Sequence, residues 1–309
     1  MIEPDPRVTV VGSFAVGLTL RADRFPIKGE TLLGRDFDMG PGGKGSNQAV
    51  QAARLGAGVE FVARLGQDNF GEIGKKLYVD ENVGTTFLSY TSERNTGVGF
   101  IVLDAQGDNF IVLDPGANNL FSIDDVERAR EQIQHSHVVI TQLEIPVETA
   151  GYALKLARDG NAISILNPAP ARRVSPDILK NADIVTPNET ELRILLGRAP
   201  DAKVNVIDLC DELLQMGVRR VILTRGARGA MIVTRDGYNN LPAFQVDVVD
   251  TTGAGDAFNG TLATYLARGM PLEPAVRHAV AAGALACTKL GVIPSLPHAP
   301  EIERLLGGL

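Results

Sequence analysis

Tryptophan is absent from this 309-residue chain, and aromatic residues make up only 5% of it. Base-stacking platforms for single-stranded nucleic acid need more than that. No run of Lys and Arg reaches three and the net charge is −7, so the chain lacks the basic patch that a nucleic acid or an anionic membrane would require. No apolar stretch approaches the roughly 20 residues of a membrane span. The first residues, Met-Ile-Glu-Pro-Asp-Pro, are acidic where a signal peptide is basic. Only two cysteines occur, Cys210 and Cys287, far apart in apolar, helix-like stretches, which reads as buried free thiols in a reducing compartment. A cytoplasmic protein with neither nucleic-acid nor membrane partner is expected.

What is present is an ordinary soluble balance, 44% apolar and 22% charged. Arg7–Gly12 reads as a buried strand, Ser46–Gly56 as a helix closing on glycine, and Val59–Leu65 as the next strand. The alternation continues: strand Val138–Leu143, helix Val147–Arg158, strand Ala162–Leu166, short strand Ile184–Thr186, helix Glu189–Leu196, helix Val206–Met216 and strand Val218–Thr224. From Asp256 onward the chain is Ala-rich and helical. Repeated βαβ units with apolar strands predict an α/β fold, a doubly wound αβα sandwich on a mostly parallel sheet. Leu18–Met39 and Gly97–Asp114 break the rhythm with short extended runs, the second a hairpin around Gln106-Gly107-Asp108. No linker separates them, so residues 1–309 read as one domain. Residues of about 14–40 and 95–115 would then form a small β-sheet lid inserted into it.

Two glycine-rich segments carry the chemistry. Val246–Gly260, VDVVDTTGAGDAFNG, reads as strand, turn and helix. Gly253, Ala254 and Gly255 can turn consecutive N–H groups into a nest at a helix N-terminus, a seat for a phosphoryl group. Asp256 follows in the first turn, where it either caps the helix or takes a proton from a hydroxyl attacking the phosphoryl group. A dinucleotide fingerprint is excluded here because the third glycine, Gly260, comes five residues after Gly255. Gly40–Asn47, GPGGKGSN, precedes a helix over Gln48–Leu55. Ser46 or Asn47 could cap that helix, and Asn47 could instead bond sugar hydroxyls.

GGKGSN together with DTTGAGDAFNG resembles the paired signatures of the ribokinase family, the PfkB carbohydrate kinases. QLE (Gln142–Glu144), NPAPAR (Asn167–Arg172), TPNETE (Thr186–Glu191), TRGARG (Thr224–Gly229) and PGAN (Pro115–Asn118) extend the resemblance along nearly the whole chain. It implies a ribokinase-like ATP-dependent kinase that phosphorylates a hydroxymethyl group of a small sugar-like substrate. Asp256 would be the base, and the Gly253, Ala254 and Gly255 amides would stabilise the transferring group. Gly42, Gly43, Lys44, Asn47 and Glu144 would contact the sugar. Asn188 and Glu191 would orient the phosphates and Mg²⁺ through water, and Thr224, Gly226 and Gly229 would line the nucleotide site. Asp250, Thr252, Gly291 and Ser295, with Ala286 and Lys289, would hold a monovalent cation, K⁺ in such kinases. Lids in related kinases pair across a two-fold axis, so a homodimer is expected.

The chain departs from the pattern at one place. Ribokinases of this kind carry GSxNxD after the first strand, and here the segment is Gly12-Ser13-Phe14-Ala15-Val16-Gly17. Ala15 and Gly17 stand where the sugar-gripping Asn and Asp would be. That predicts a larger, less hydroxylated or differently substituted acceptor than ribose. Two other readings stay open: a nucleoside kinase, and a sugar- or nucleotide-sensing binding protein with little catalysis.

Overall fold

Val8 and Val10 turn to one face of the first strand and Val11 to the other, all without solvent exposure. A strand apolar on both faces belongs in the middle of a sheet covered on both sides, and that is where it lies. The computed structural model describes residues 6–106 and 108–308. Among these, nine strands build the main sheet: β1 (Arg7–Val11), β4 (Gly58–Gly66), β5 (Leu88–Thr91), β8 (Val138–Thr141), β9 (Ile163–Leu166), β10 (Ile184–Val185), β11 (Arg220–Thr224), β12 (Ala230–Thr234) and β13 (Gly237–Leu241). Their order is β13-β12-β11-β10-β9-β8-β1-β4-β5. All pairings are parallel except β11 with β12 and β12 with β13.

Side-chain alternation sorts the core into two halves. Val8, Val10, Ile140, Ile165 and Ile222 pack under the helices Lys44–Arg54, Ala254–Ala267 and Leu272–Ala286. Val11, Val139, Leu166, Val221 and Leu223 pack under Val147–Asp159, Glu189–Leu195 and Val206–Gln215. The chain runs from β1 to one neighbour, β4, and later returns to the other, β8. Such a switch point opens a crevice at the C-terminal ends of the strands, where α/β proteins bind ligands.

A second sheet, β3-β2-β6-β7, comprises β2 (Ala15–Arg21), β3 (Arg35–Gly42), β6 (Gly97–Leu103) and β7 (Asn109–Asp114). The β6–β7 pair is antiparallel, as the expected hairpin requires, although Gly107 of its turn lies outside the described residues. Ala15 stands between Gly42 and Gly97, and Gly17 between Gly40 and Gly99. These two rows carry almost no side chains.

Three expectations need correction. Val246–Val249 forms no strand; only the Val249 N–H bonds across, to the Cys287 carbonyl at 2.8 Å, because no strand lies alongside. The helix expected from Gln48 starts at Lys44, behind Gly43 at φ 88°, so Ser46 and Asn47 lie inside it and cap nothing. The edge strands β5 and β13, and β12 beside β13, were not anticipated: β13 (GYNNL) is polar and β5 is short, so neither edge has a strong apolar period.

The early helical start depends on a close backbone crossing. A Cβ on Gly45 would lie 2.5 Å from the Ser13 nitrogen and 2.8 Å from Gly12 Cα. Gly45→Ala should therefore lower stability by about 1–3 kcal/mol, seen as a lower denaturation midpoint at unchanged slope. An unchanged midpoint would mean that the crossing can open without cost.

Candidate active site

The N-terminal helix Lys44–Arg54 points its first turn at the ends of β1 and β8. Glu144, just beyond β8, receives the Ser13 hydroxyl at 2.6 Å and the Lys44 N–H at 2.8 Å on a single oxygen, Oε2. A carboxylate on the first amide of a helix is favoured by the helix dipole. Glu144 is thus a half-buried clasp between three segments.

The helix Ala254–Ala267 crosses the first helix and is entered through Gly253 at φ 84°. That left-handed turn is open to glycine at little cost. The helix's first N–H groups have no intrahelical acceptor and face outward. The Ala254 amide turns back to the Thr251 carbonyl at 3.3 Å, which takes it partly out of the expected nest. Asp256 caps nothing. It is only 6% exposed, and its two oxygens accept from the Asn47 amide (Oδ2, 2.8 Å) and the Gln48 amide (Oδ1, 3.0 Å).

Burial pushes the Asp256 carboxyl above the ordinary carboxylate range; the Lys44 ammonium and the Asn47 and Gln48 donors offset this only in part, and Glu144 adds to the rise. Burial works against the charge on Lys44 as well, but Asp256, Glu144 and Glu191 together outweigh it and hold its pKa above the usual value. Glu191 is also raised, by burial first, with the Asn188 N–H and Lys44 opposing and Asp256 reinforcing. One half-buried cation therefore sits in the field of three carboxylates.

Asn188 and Glu191 form a capping box at the start of Glu189–Leu195: each side chain accepts from the other's N–H at 2.8 Å. The pair thus has a structural role as a helix cap, and Glu191 still reaches the field of Lys44 and Asp256. Thr224, at the end of β11, bridges to Asn188, and Gly226 (φ 56°) and Gly229 (φ 81°) enclose a single tight turn. On the far side of the Gly253 turn, Asp250 accepts from the Thr252 N–H at 2.9 Å and hydroxyl at 2.7 Å, and from the Gly291 N–H at 3.3 Å. Ala286 ends the neighbouring helix. Among the described residues no bond joins Lys289 or Ser295 to Asp250: Lys289 goes to Glu301 at 3.0 Å and the Ser295 hydroxyl to the Val292 carbonyl at 2.8 Å.

Several polar residues of the site were not singled out from sequence. Ser13 is one, and Gln48, Asn167, Thr186 and Asn259 form a buried chain behind Asp256. Asn259 lies inside the second glycine-rich motif, and its helical spacing from Gly255 was the available signal; Gln48 follows the first motif directly and carried none. The Asn259 amide indeed returns to the Gly255 carbonyl at 2.8 Å.

Comparison with known proteins supplies the chemistry of this architecture. The profile of the pfkB family carbohydrate kinases matches residues 5–299. A ribokinase of Haemophilus influenzae is 36% identical over 97% of this chain and 98% of its own, and a deoxyribokinase of Salmonella typhi is 34% identical over 97% and 98%. Among solved structures, a ribokinase of Thermotoga maritima superposes with a TM-score of 0.90 at 34% identity, covering 97% of this chain and 99% of that one. The Arabidopsis thaliana ribokinase in complex with ribose and ATP gives 0.90 at 29% identity, covering 98% and 99%.

The raised Asp256 carboxyl has a consequence for stability. Its folded-state pKa lies above its unfolded value, so the stability it contributes is full below the unfolded pKa and is lost as pH rises through the folded one. At neutral pH, Asp256→Asn should therefore melt at or above the parent temperature, an advantage that fades as pH falls toward 4. A clear loss of thermal stability at pH 7 would contradict the assigned direction.

Proposed function

The chain belongs to the pfkB family of carbohydrate kinases, and from that premise we propose that it moves the γ-phosphoryl group of ATP to a hydroxymethyl oxygen of a small sugar with Asp256 as the base. The observation that carries this reading is a buried carboxylate, gripped by two amides, at the open end of the Gly253–Gly255 helix entry. Asp256 takes the proton of the acceptor hydroxyl, the freed electron pair forms the bond to phosphorus, and the bond from phosphorus to the departing ADP oxygen breaks. First-turn amides at Gly255 and Asp256 stabilise the charge on the transferring group. Lys44 adds a fixed positive charge in a water-poor site, where it acts strongly.

Asn188 and Glu191 offer the hard oxygen donors that suit Mg²⁺ held largely through water; the ion would supply neutralisation of the phosphate charge. Asp250 and Thr252 offer oxygens of the same kind to a monovalent cation behind the Gly253 turn, with Ala286, Lys289, Gly291 and Ser295 on the facing segment. Thr224, Gly226 and Gly229 sit at the strand end where the nucleotide would lie. The four-stranded sheet serves as the lid that keeps water, the competing nucleophile, from the phosphoryl group. Met39 (45% exposed), Leu18, Phe100 (57%) and Val112 (54%) form one apolar row across it, which supports pairing of two lids in a homodimer. A cytoplasmic location accords with its small soluble substrates, and no described helix is long and apolar enough to cross a membrane.

The acceptor is the finer question, since both a ribokinase and a deoxyribokinase are close to this chain. Gly17 is not enforced by crowding: a Cβ there would meet the Gly40 carbonyl at 3.7 Å and Ile101 Cδ1 at 3.8 Å, ordinary contacts. The missing polar groups at Ala15 and Gly17 are thus a matter of chemistry, and they favour an acceptor with fewer hydroxyls than ribose. Losing a carboxylate that accepts two hydroxyl bonds costs about 2–4 kcal/mol of ribose recognition.

ADP release should be measured with ATP, Mg²⁺ and K⁺ across pentoses, deoxypentoses, hexoses, polyols and nucleosides. The expected result is turnover on a sugar less hydroxylated than ribose, with ribose weaker, and a loss of about 10²–10⁴ in turnover for Asp256→Asn. Full activity of that variant would remove Asp256 as the base. A preference for ribose would mean that other groups replace the missing Asn and Asp.

A further inference from the structure

The two amides on Asp256 are not equivalent. An ionised carboxylate only accepts, so Gln48 must present Nε2 to it. Nε2 has a second hydrogen, and that one goes to Asn167 Oδ1 at 3.0 Å. The other end, Oε1, accepts from Gln142 Nε2 at 2.7 Å. Turned over, the Gln48 amide would set its oxygen against two acceptors, Asp256 Oδ1 and Asn167 Oδ1, and its nitrogen against Gln142, whose own amide would have to turn with it, its Oε1 being buried without a partner. Asn47 differs: Nδ2 donates to Asp256 Oδ2, but Oδ1 is buried without a partner. Against the ionised carboxylate it must donate, but once Oδ2 carries a proton it can turn over and accept from it without giving up any other partner.

The backbone seats Gln48 as firmly as its side-chain partners do. A Cβ at Gly260 would stand 2.7 Å from the Gln48 carbonyl oxygen, so the two helices meet backbone to backbone at this point. Gln48, Gln142 and Asn167 are all buried.

We propose that Gln48 is a positioning residue for the base: its amide, locked in one orientation by Gln142 and Asn167, keeps a donor permanently on Asp256 Oδ1. Oδ2, beside the reversible Asn47 amide, is then the oxygen that takes the acceptor's proton. When the acceptor O–H bond breaks and the proton reaches Oδ2, Asn47 turns over and accepts from the new carboxylic acid, while Gln48 stays as it was. This rests on Asp256 as the base. Other charges facing the carboxylate are Lys44 from the same helix as Gln48, Glu144 from the loop after β8, and Glu191 from the first turn of Glu189–Leu195; none of them is altered below.

The test is the titration of the Asp256 side-chain carboxyl by ¹³C NMR in the free protein, the resonance identified by its loss in Asp256→Asn. Gln48→Leu should raise the midpoint by roughly one to two pH units, the effect of one donor to a charged group. Gln142→Leu, which only frees the Gln48 amide to turn, should raise it by less, and it decides alone if Gln48→Leu does not fold. KM for ATP should change less than about threefold in either, because neither residue touches the nucleotide site. Midpoints that stay within ~0.3 units of the parent in the folded variants would overturn the proposal. The base reading fails separately, if Asp256→Asn retains turnover whatever the titration gives.

Discussion

Two hydrogen bonds, from Asn47 and Gln48 to the Asp256 carboxylate, join helices that stand more than 200 residues apart in the chain. The site's other features are arranged around that junction. A buried carboxylate without partners would give up its charge. The amides bring the first helix close, and Gly260 lets it come close. The first helix in turn places Lys44 in the field of all three carboxylates and its leading amide on Glu144. If the junction were lost, the helix entry at Gly253–Gly255 and the polar loop at Gly42–Lys44 would be two unrelated surface features.

The electrostatic balance of the site is uneven. Burial raises Asp256 and Glu191 despite Lys44, while Lys44 itself remains firmly charged. Three carboxylates around one ammonium leave negative charge in excess, and a triphosphate would add more. Under the proposed function, that excess is what added cations such as Mg²⁺ would offset when ATP binds. In the proposed role of Asp256, a raised proton affinity would suit it better than an exposed aspartate to taking a proton from an alcohol.

Much of this could be read from the sequence, for physical reasons that differ by segment. The parallel core was legible because strands such as Val138–Thr141 are apolar on both faces and alternate with amphipathic helices. The hairpin Gly97–Asp114 was legible from its period of two. The helix start at Lys44 was hidden because glycine-rich text reads as loop, and only the crossing of Gly45 over Ser13 makes it helical. Val246–Val249 has the composition of a strand but no strand to pair with, and sequence carries no notice of a missing neighbour. Asp256 stood out through its context, whereas Gln48, three residues beyond Gly43-Lys44-Gly45, looked like any helix glutamine. Its importance lies in partners from three other segments, and such long-range polar contacts leave no periodic trace.

The central claim is that the entry to the Ala254–Ala267 helix seats the phosphoryl group beside Asp256. A crystal structure with Mg²⁺ and a non-hydrolysable ATP analogue tests it most directly. The account predicts γ-phosphate oxygens at about 3 Å from the Gly255 and Asp256 amide nitrogens, with the Asp256 carboxylate facing the same space. A triphosphate seated elsewhere, for instance in the cleft of about 430 Å³ lined by Arg219, Arg220 and Arg235, would contradict it.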